Sequence, residues 1–401
     1  MLEDSREQQP APPPESPVRQ VAGERPRAAV DRRMAFADGL RGFAALWVVL
    51  YHLSEGHHVD ALRALLPAPV KLLVFDWGHL GVGVFFVLSG FVMALTCERT
   101  AMTGAEAGRF VLRRLLRVAP PYYLAVAVSL GLSLAKGGHL DAGQLAAHAL
   151  FLQGILEYDQ INIVFWTLCV EIQFYLAFAA LAWLSDRLAT QHGGRGLPRL
   201  AVAALSLAWP LGLLTGPVWH GGFLPFWAYF MAGVVAWETH RGAPGRRLRD
   251  ARFALAATFV VTLLLTGLAR RDMLCSVAGL TSVALVGAGF GNGLQTWLSG
   301  RVLQLLGRVS YSLYLFHNPV TGPAFRLLGK SGGHGALFEL VGALASVSCC
   351  LGVAWLSWYT VERASIAWSR SLSANRSARA ADSVPDRRDA AEFGDFLSRK
   401  G

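Results

Sequence analysis

The chain has 401 residues, 53% of them hydrophobic and 16% charged, with a mean hydropathy of +0.39. A soluble domain of this length carries about a quarter charged residues, so the composition excludes an ordinary soluble globular protein. The formal charge is +10, and nearly all the cations are arginine, many of them in loops between apolar blocks. A positive-inside bias accounts for them better than a nucleic-acid partner does, and no nucleic acid is expected.

Residues 1–35 are rich in Pro, Arg, Glu and Ala and lack an apolar core. They read as a disordered cytoplasmic tail rather than a cleaved signal peptide. Apolar blocks then follow at 36–54, 79–97, 118–135, 163–184, 199–215, 222–238, 253–269, 273–291, 302–325 and 336–359. Most are long enough to cross a hydrocarbon core of about 30 Å. The apolar stretch 144–155 is short and reads as a re-entrant or interfacial helix. The expected fold is all-α: a polytopic membrane protein of about ten transmembrane helices over 36–365, followed by a second disordered cytoplasmic tail over 366–401.

The connecting loops set the orientation. On one side they hold Arg99, Arg109, Arg113, Arg114 and Arg117, then Arg187, Arg195 and Arg199, then Arg241, Arg246, Arg247, Arg249 and Arg252. Opposite loops are poorer in cations, which puts both termini in the cytoplasm. The five cysteines show no metal-ligand spacing and read as small thiols, four of them within or beside apolar blocks; no metal is expected.

The first block, "DGLRGFAALWVVLYH", carries Arg41 and His52 eleven residues apart. Eleven steps of about 100° bring both onto one helix face, about 16 Å apart along the axis, with small Ala45 and Val48 between them. A charged side chain within a span costs about 2.5 to 3.5 kcal/mol on insertion scales. That face therefore suits the wall of a polar cavity; the alternative is a snorkelling arginine with a histidine at the headgroups. In the second block, Ser89-Gly90 is a small pair that suits close helix packing or a kink.

"RFVLRRLLRVAPPYY" puts Arg114 and Arg117 on one helix face with Arg113 nearby, and Pro120-Pro121 at the entry to the next span. Forked guanidinium groups suit phosphates, and lipid headgroups would satisfy them equally. "WTLCVEIQFY" buries Glu171 about eight residues into a span, where a carboxylate must be paired, protonated or wetted. Its natural partners are His52, Arg41 or Arg308, and a purely structural ion pair is the alternative. "RVSYSLYLFHNPV" aligns Ser310, Tyr314 and His317 on one face, with Tyr311 beside them, before an Asn318-Pro319 break or kink.

These pieces, in this order, resemble the acyltransferase-3 family of integral membrane O-acyltransferases, over roughly 36–365. The likeness rests on the Arg-x10-His of Arg41 and His52, "FFVLSGF", the Arg-x-x-Arg of Arg114 and Arg117, "WTLCVE" and "SYSLYLFHNPV". It implies transfer of an acyl group, commonly acetyl, from cytoplasmic acyl-CoA to a hydroxyl of an envelope saccharide, lipid-linked sugar or glycoside. It implies a multi-pass protein of the inner (plasma) membrane. His52 is then the general base, Arg41 or Ser89 the oxyanion donor, and Glu171 the group that holds the imidazole. Arg113, Arg114 and Arg117 take the acyl-CoA, while Tyr311, Tyr314 and His317 position the acceptor. Some relatives add a C-terminal SGNH-type domain. Here only a short polar tail follows the last block, which leaves open a separate extracytoplasmic transferase partner. The rival reading is a transporter or flippase whose Arg, His and Glu line a substrate or proton path.

Overall fold

The computed structural model describes residues 34–98, 102–192, 196–214, 222–240 and 246–382. The tail 1–35 up to residue 33 and the loop residues Arg99, Arg195 and Arg241 lie outside the described residues. Among those described, the chain is helical throughout with no β-strand. The first half comprises α1 (Ala35–Glu55), short α2 (Asp60–Ala64) and α3 (Ala68–Val74), α4 (Gly81–Glu98), α5 (Gly104–Leu134), α6 (Ala142–Ala149) and α7 (Trp166–His192). The second half comprises α8 (Gly196–Ser206), α9 (Trp227–His240), α10 (Arg246–Arg270), α11 (Met273–Gly289), α12 (Gly293–Thr296), α13 (Arg301–Gly329), α14 (Ala336–Ser357) and α15 (Arg363–Asp382). A π turn, Trp358–Glu362, joins the last two.

Each of the ten apolar blocks overlaps a helix, but among the described residues five segments are long and apolar enough to cross a membrane: Ala68–Cys97, Gly104–Leu134, Ile163–Leu188, Arg249–Arg270 and Ala336–Leu372. The other five fall short for local reasons. Helices α8, α9 and α11 have 11, 14 and 17 residues. α1 and α13 are long enough, but arginines and histidines lower their hydropathy.

Three expectations change. Pro120 and Pro121 do not mark the entry to a span; they lie inside α5, which starts at Thr103, whose hydroxyl accepts the Glu106 amide. The prolines leave the carbonyls of Leu116 and Arg117 without their helical amides, and the Tyr311 hydroxyl donates to the adjacent Val118 carbonyl at 2.7 Å. Likewise Pro319 sits inside α13 and does not end it. At the C-terminus, where a tail is expected from 366, helix α15 continues to Asp382 through a run rich in Ala, Arg and Ser, two of which are good helix formers.

The bundle is held by close approaches. α1 packs on α13 and α4, α4 on α9 and α11, and α5 on α7 and α15. At the α4–α9 crossing, a Cβ on Gly90 would stand 1.8 Å from the Phe230 carbonyl oxygen. At the α1–α13 crossing, one on Gly307 would stand 2.1 Å from the Asp38 carbonyl oxygen. In both cases the obstacle is backbone, so only a hydrogen fits. Gly90→Ala is therefore expected to cost about 1 to 3 kcal/mol by forcing the helices apart, read as a lowered Tm of the purified protein; an unchanged Tm would refute the close crossing.

Candidate active site

Where α1, α4, α7 and α13 meet, they line a small cavity of about 40 Å³. Its polar lining is Arg41, Ser89, Thr167, Glu171, Ser310, Tyr311 and Tyr314, and Phe85, Phe86, Val82 and Leu168 supply the apolar wall. Helical periodicity explains the convergence, since Ser310 and Tyr314 stand one turn apart on α13 and Tyr311 flanks them. Segments far apart in sequence thus deliver Arg41, Ser89, Glu171, Tyr311 and Tyr314 to one space.

Glu171 does not hold an imidazole. Its Oε1 accepts from Ser89 Oγ at 2.6 Å and from the Tyr175 hydroxyl one turn along α7. Nor does it meet Arg308, which is exposed and stacks over Trp358 with its guanidinium carbon 5.6 Å from the ring centre. The imidazole is oriented by backbone instead: His317 Nδ1 lies 2.7 Å from the Tyr314 carbonyl. A carbonyl can only accept, so Nδ1 carries the hydrogen and Nε2 of the neutral ring presents its lone pair. That Nε2 is buried and has no hydrogen-bond partner.

His52 lies one step from the cavity rather than on its wall. Its ring centre is 5.1 Å from that of His317, inclined at 36°. Tyr314, whose ring centre is 5.9 Å from His317, connects the two histidines to the cavity. The Tyr314 hydroxyl is fixed in turn by Thr167 Oγ1 at 2.9 Å and the Val164 carbonyl at 3.3 Å.

On the other flank stand the arginines of α5. Arg117 is in electrostatic contact with Arg41, Arg114, Tyr175 and Glu362. Arg114 donates to Thr96 Oγ1 at 3.1 Å and lies over the rings of Phe110 and Tyr175, 5.5 and 5.7 Å from their centres. Arg113 is half-buried beside Arg114 and Glu106. Glu362, which the sequence reading missed, is buried at the end of the π turn, takes a 2.6 Å hydrogen bond from Ser312 Oγ, and faces Arg117 and Arg41. The four guanidinium groups of Arg41, Arg113, Arg114 and Arg117 outnumber the carboxylates of Glu106 and Glu362, which suits an anionic substrate. Two arginines assigned to cytoplasmic loops are not free there: Arg199 is buried against Glu238 at 3.2 Å, and Arg252 is also buried.

Comparison with known proteins decides the family, because residues 34–359 match the acyltransferase domain model, Acyl_transf_3. The chain belongs to the acyltransferase-3 family. It is similar to the acyltransferase MdmB of Streptomyces mycarofaciens, 27% identical over 80% of this chain and 88% of that protein. It resembles the exopolysaccharide production protein ExoZ of Rhizobium meliloti, 27% identical over 67% of this chain and 80% of that protein. It is also similar to the peptidoglycan O-acetyltransferase OatA of Listeria monocytogenes, 23% identical over 71% of this chain but only 48% of that protein. No solved structure matches the chain. As an acyltransferase-3 member, this protein is a membrane O-acyltransferase, and the cavity with its flanking histidines and arginines is its candidate active site.

Proposed function

We propose that the protein moves an acyl group, acetyl in the first instance, from cytoplasmic acyl-CoA to a hydroxyl of a saccharide, lipid-linked sugar or glycoside of the cell envelope. It would do so as a ten-span protein of the plasma membrane with both termini in the cytoplasm. The observation that carries this reading is the single cavity that joins Arg41, Ser89, Glu171 and Tyr314, with the His52–His317 pair on one flank and the α5 arginines on the other. The names of MdmB, ExoZ and OatA, an acyltransferase, an exopolysaccharide protein and a peptidoglycan O-acetyltransferase, support the acceptor class.

Arg113, Arg114 and Arg117 would take the phosphates of the donor, and the thioester would reach into the cavity beside Arg41. His52 takes the proton of the acceptor hydroxyl as its oxygen attacks the thioester carbon. The new C–O bond forms, the C–S bond breaks, and the imidazolium returns the proton to the departing thiolate as free thiol. Arg41 would stabilise the oxyanion, whereas the Ser89 hydroxyl, whose one hydrogen goes to Glu171 Oε1, would not. Glu171, anchored by Ser89 and Tyr175, would fix the Ser89 side chain on the cavity wall. His317 supplies a second ring, with its lone pair held ready by the Tyr314 carbonyl.

Arg114→Ala combined with Arg117→Ala is expected to raise KM for acetyl-CoA about tenfold or more, since each tenfold step corresponds to about 1.4 kcal/mol of lost charge-assisted binding. Thiol release from labelled acetyl-CoA by purified protein measures it. An unchanged KM would return both arginines to a structural or headgroup role. No thiol release by the wild-type protein, supplied with envelope saccharide, would favour the transporter reading.

A further inference from the structure

A second cleft opens at the far end of α5. From Arg117 to Ser129 is twelve residues, about 18 Å along the helix, so this cleft and the arginines lie toward opposite ends. It holds about 590 Å³ and is lined by Ser129, Ser133, Lys136, Asn162, Asn318 and Pro319, with other residues of the same segments. Asn162 caps the 3₁₀ turn Ile163–Phe165, and Asn318 directly follows His317 on α13. The segment 161–167 thus separates the two cavities: Asn162 faces the outer one, while Val164 and Thr167 fix Tyr314 at the inner one. His148 anchors the start of that segment. Its Nε2 accepts the Ile161 amide at 3.2 Å while Nδ1 meets the Tyr122 hydroxyl at 3.0 Å. Burial pushes the His148 imidazole below its ordinary pKa, in keeping with a neutral ring.

The cleft is built with unused polar atoms. Ser129 and Asn162 are each 7% exposed, and both Ser129 Oγ and Asn162 Nδ2 are buried without a hydrogen-bond partner. The Asn162 amide cannot be turned over to relieve this. Its Oδ1 accepts the Val164 amide and Asn318 Nδ2, both at 3.3 Å, and a backbone N–H requires an acceptor there. Nδ2 therefore keeps two free hydrogens, and Asn318, with its own Nδ2 engaged, has its carbonyl oxygen to offer. Native proteins rarely leave such groups orphaned; ordered water, an ion or a ligand takes them up. A hydroxyl, an amide donor and an amide acceptor in one open cleft match a ligand whose groups both donate and accept. Lys136 is the one charged group lining it, too little for a polyphosphate.

We infer that this cleft is the acceptor site and that it holds a neutral carbohydrate ring, hydrogen-bonded by Ser129, Asn162 and Asn318, on the side of the bundle away from the donor arginines. The inference rests on the acyl-transfer reading of the neighbouring cavity. His317 directly precedes Asn318 on α13 and packs on Tyr314 of the inner cavity, so a sugar seated beside Asn318 would lie close to the histidine pair.

The test uses the full chain in lipid nanodiscs free of sugar detergents, with cellopentaose and chitopentaose as probes and saturation-transfer NMR titration as readout. At least one oligosaccharide should bind the wild type, and Asn162→Ala and Ser129→Ala should each weaken it fivefold or more. Ser129→Ala should do so with Tm equal to or above wild type, because it removes an unpartnered buried hydroxyl. The inference is overturned if neither oligosaccharide binds the wild type, if the variants bind as well as it does, or if affinity falls only in step with Tm. Free thiol from acetyl-CoA is measured on the same samples. Binding that depends on Ser129 and Asn162 without thiol release would sink the acyl-transfer reading and uphold the carbohydrate cleft, whereas thiol release without binding would sink the cleft alone.

Discussion

His52→Ala is expected to lower acyl transfer about 10²- to 10⁴-fold, the range that a positioned general base supplies, while leaving the protein inserted and folded. The ring is half-buried at the end of α1, and no hydrogen bond ties it to another side chain or carbonyl among the described residues. Its structural contribution is edge contact with Tyr51 at 5.0 Å between ring centres and a tilted contact with His317 at 5.1 Å. Neither ring nitrogen is thus committed to a protein partner, which a packing histidine rarely permits. His317 differs in having one nitrogen committed to backbone, which makes it the fixed member of the pair. If the two rings pass one proton between them and the substrate, His52→Ala with His317→Ala should cost little more than the worse single variant, as groups acting as a unit do. The measurement is thiol release and acyl transfer, normalised to membrane-inserted protein. A well-inserted His52→Ala working at wild-type rate would end the mechanism.

Much of this site is legible along single helices. Arg41 and His52 share a face by their spacing, and the α13 face of Ser310, Tyr314 and His317 reaches the same region of the bundle. The sequence does not disclose what lies across from each face. Glu171 finds Tyr175 one turn away on its own helix, a contact the spacing allows, and Ser89 from α4, which nothing in either segment announces. The span boundary at 118 was misplaced because Pro-Pro ordinarily opens or ends a helix; here α5 runs on, with the Tyr311 hydroxyl bound beside the freed carbonyls. Glu362 lies just past the last apolar block, where a carboxylate reads as a solvated end. A π turn, a distortion common at functional sites, swings it inward.

Glu362→Gln should therefore do more than its position suggests. The side chain keeps its shape, so any loss reports its charge. Arg41 and Arg117 approach each other closely enough to interact, and Glu362 is the buried carboxylate facing both. Removing one partner of a contacting buried pair costs about 3 to 5 kcal/mol. Glu362 makes its direct hydrogen bond to Ser312 and reaches the arginines through space, so a loss of about 2 kcal/mol is expected here, on the scale of charges at an effective dielectric near 20. Activity should fall further than stability, because Arg41 would no longer be held against the cavity. Glu362 is then a positioning residue, and the discriminating measurement is compensation. Adding Arg117→Met to Glu362→Gln removes the unbalanced cation, so Tm should recover toward wild type while KM for acetyl-CoA stays raised. If the double variant is simply the sum of the two singles in Tm, the carboxylate does not offset that arginine, and the positioning role of Glu362 is wrong.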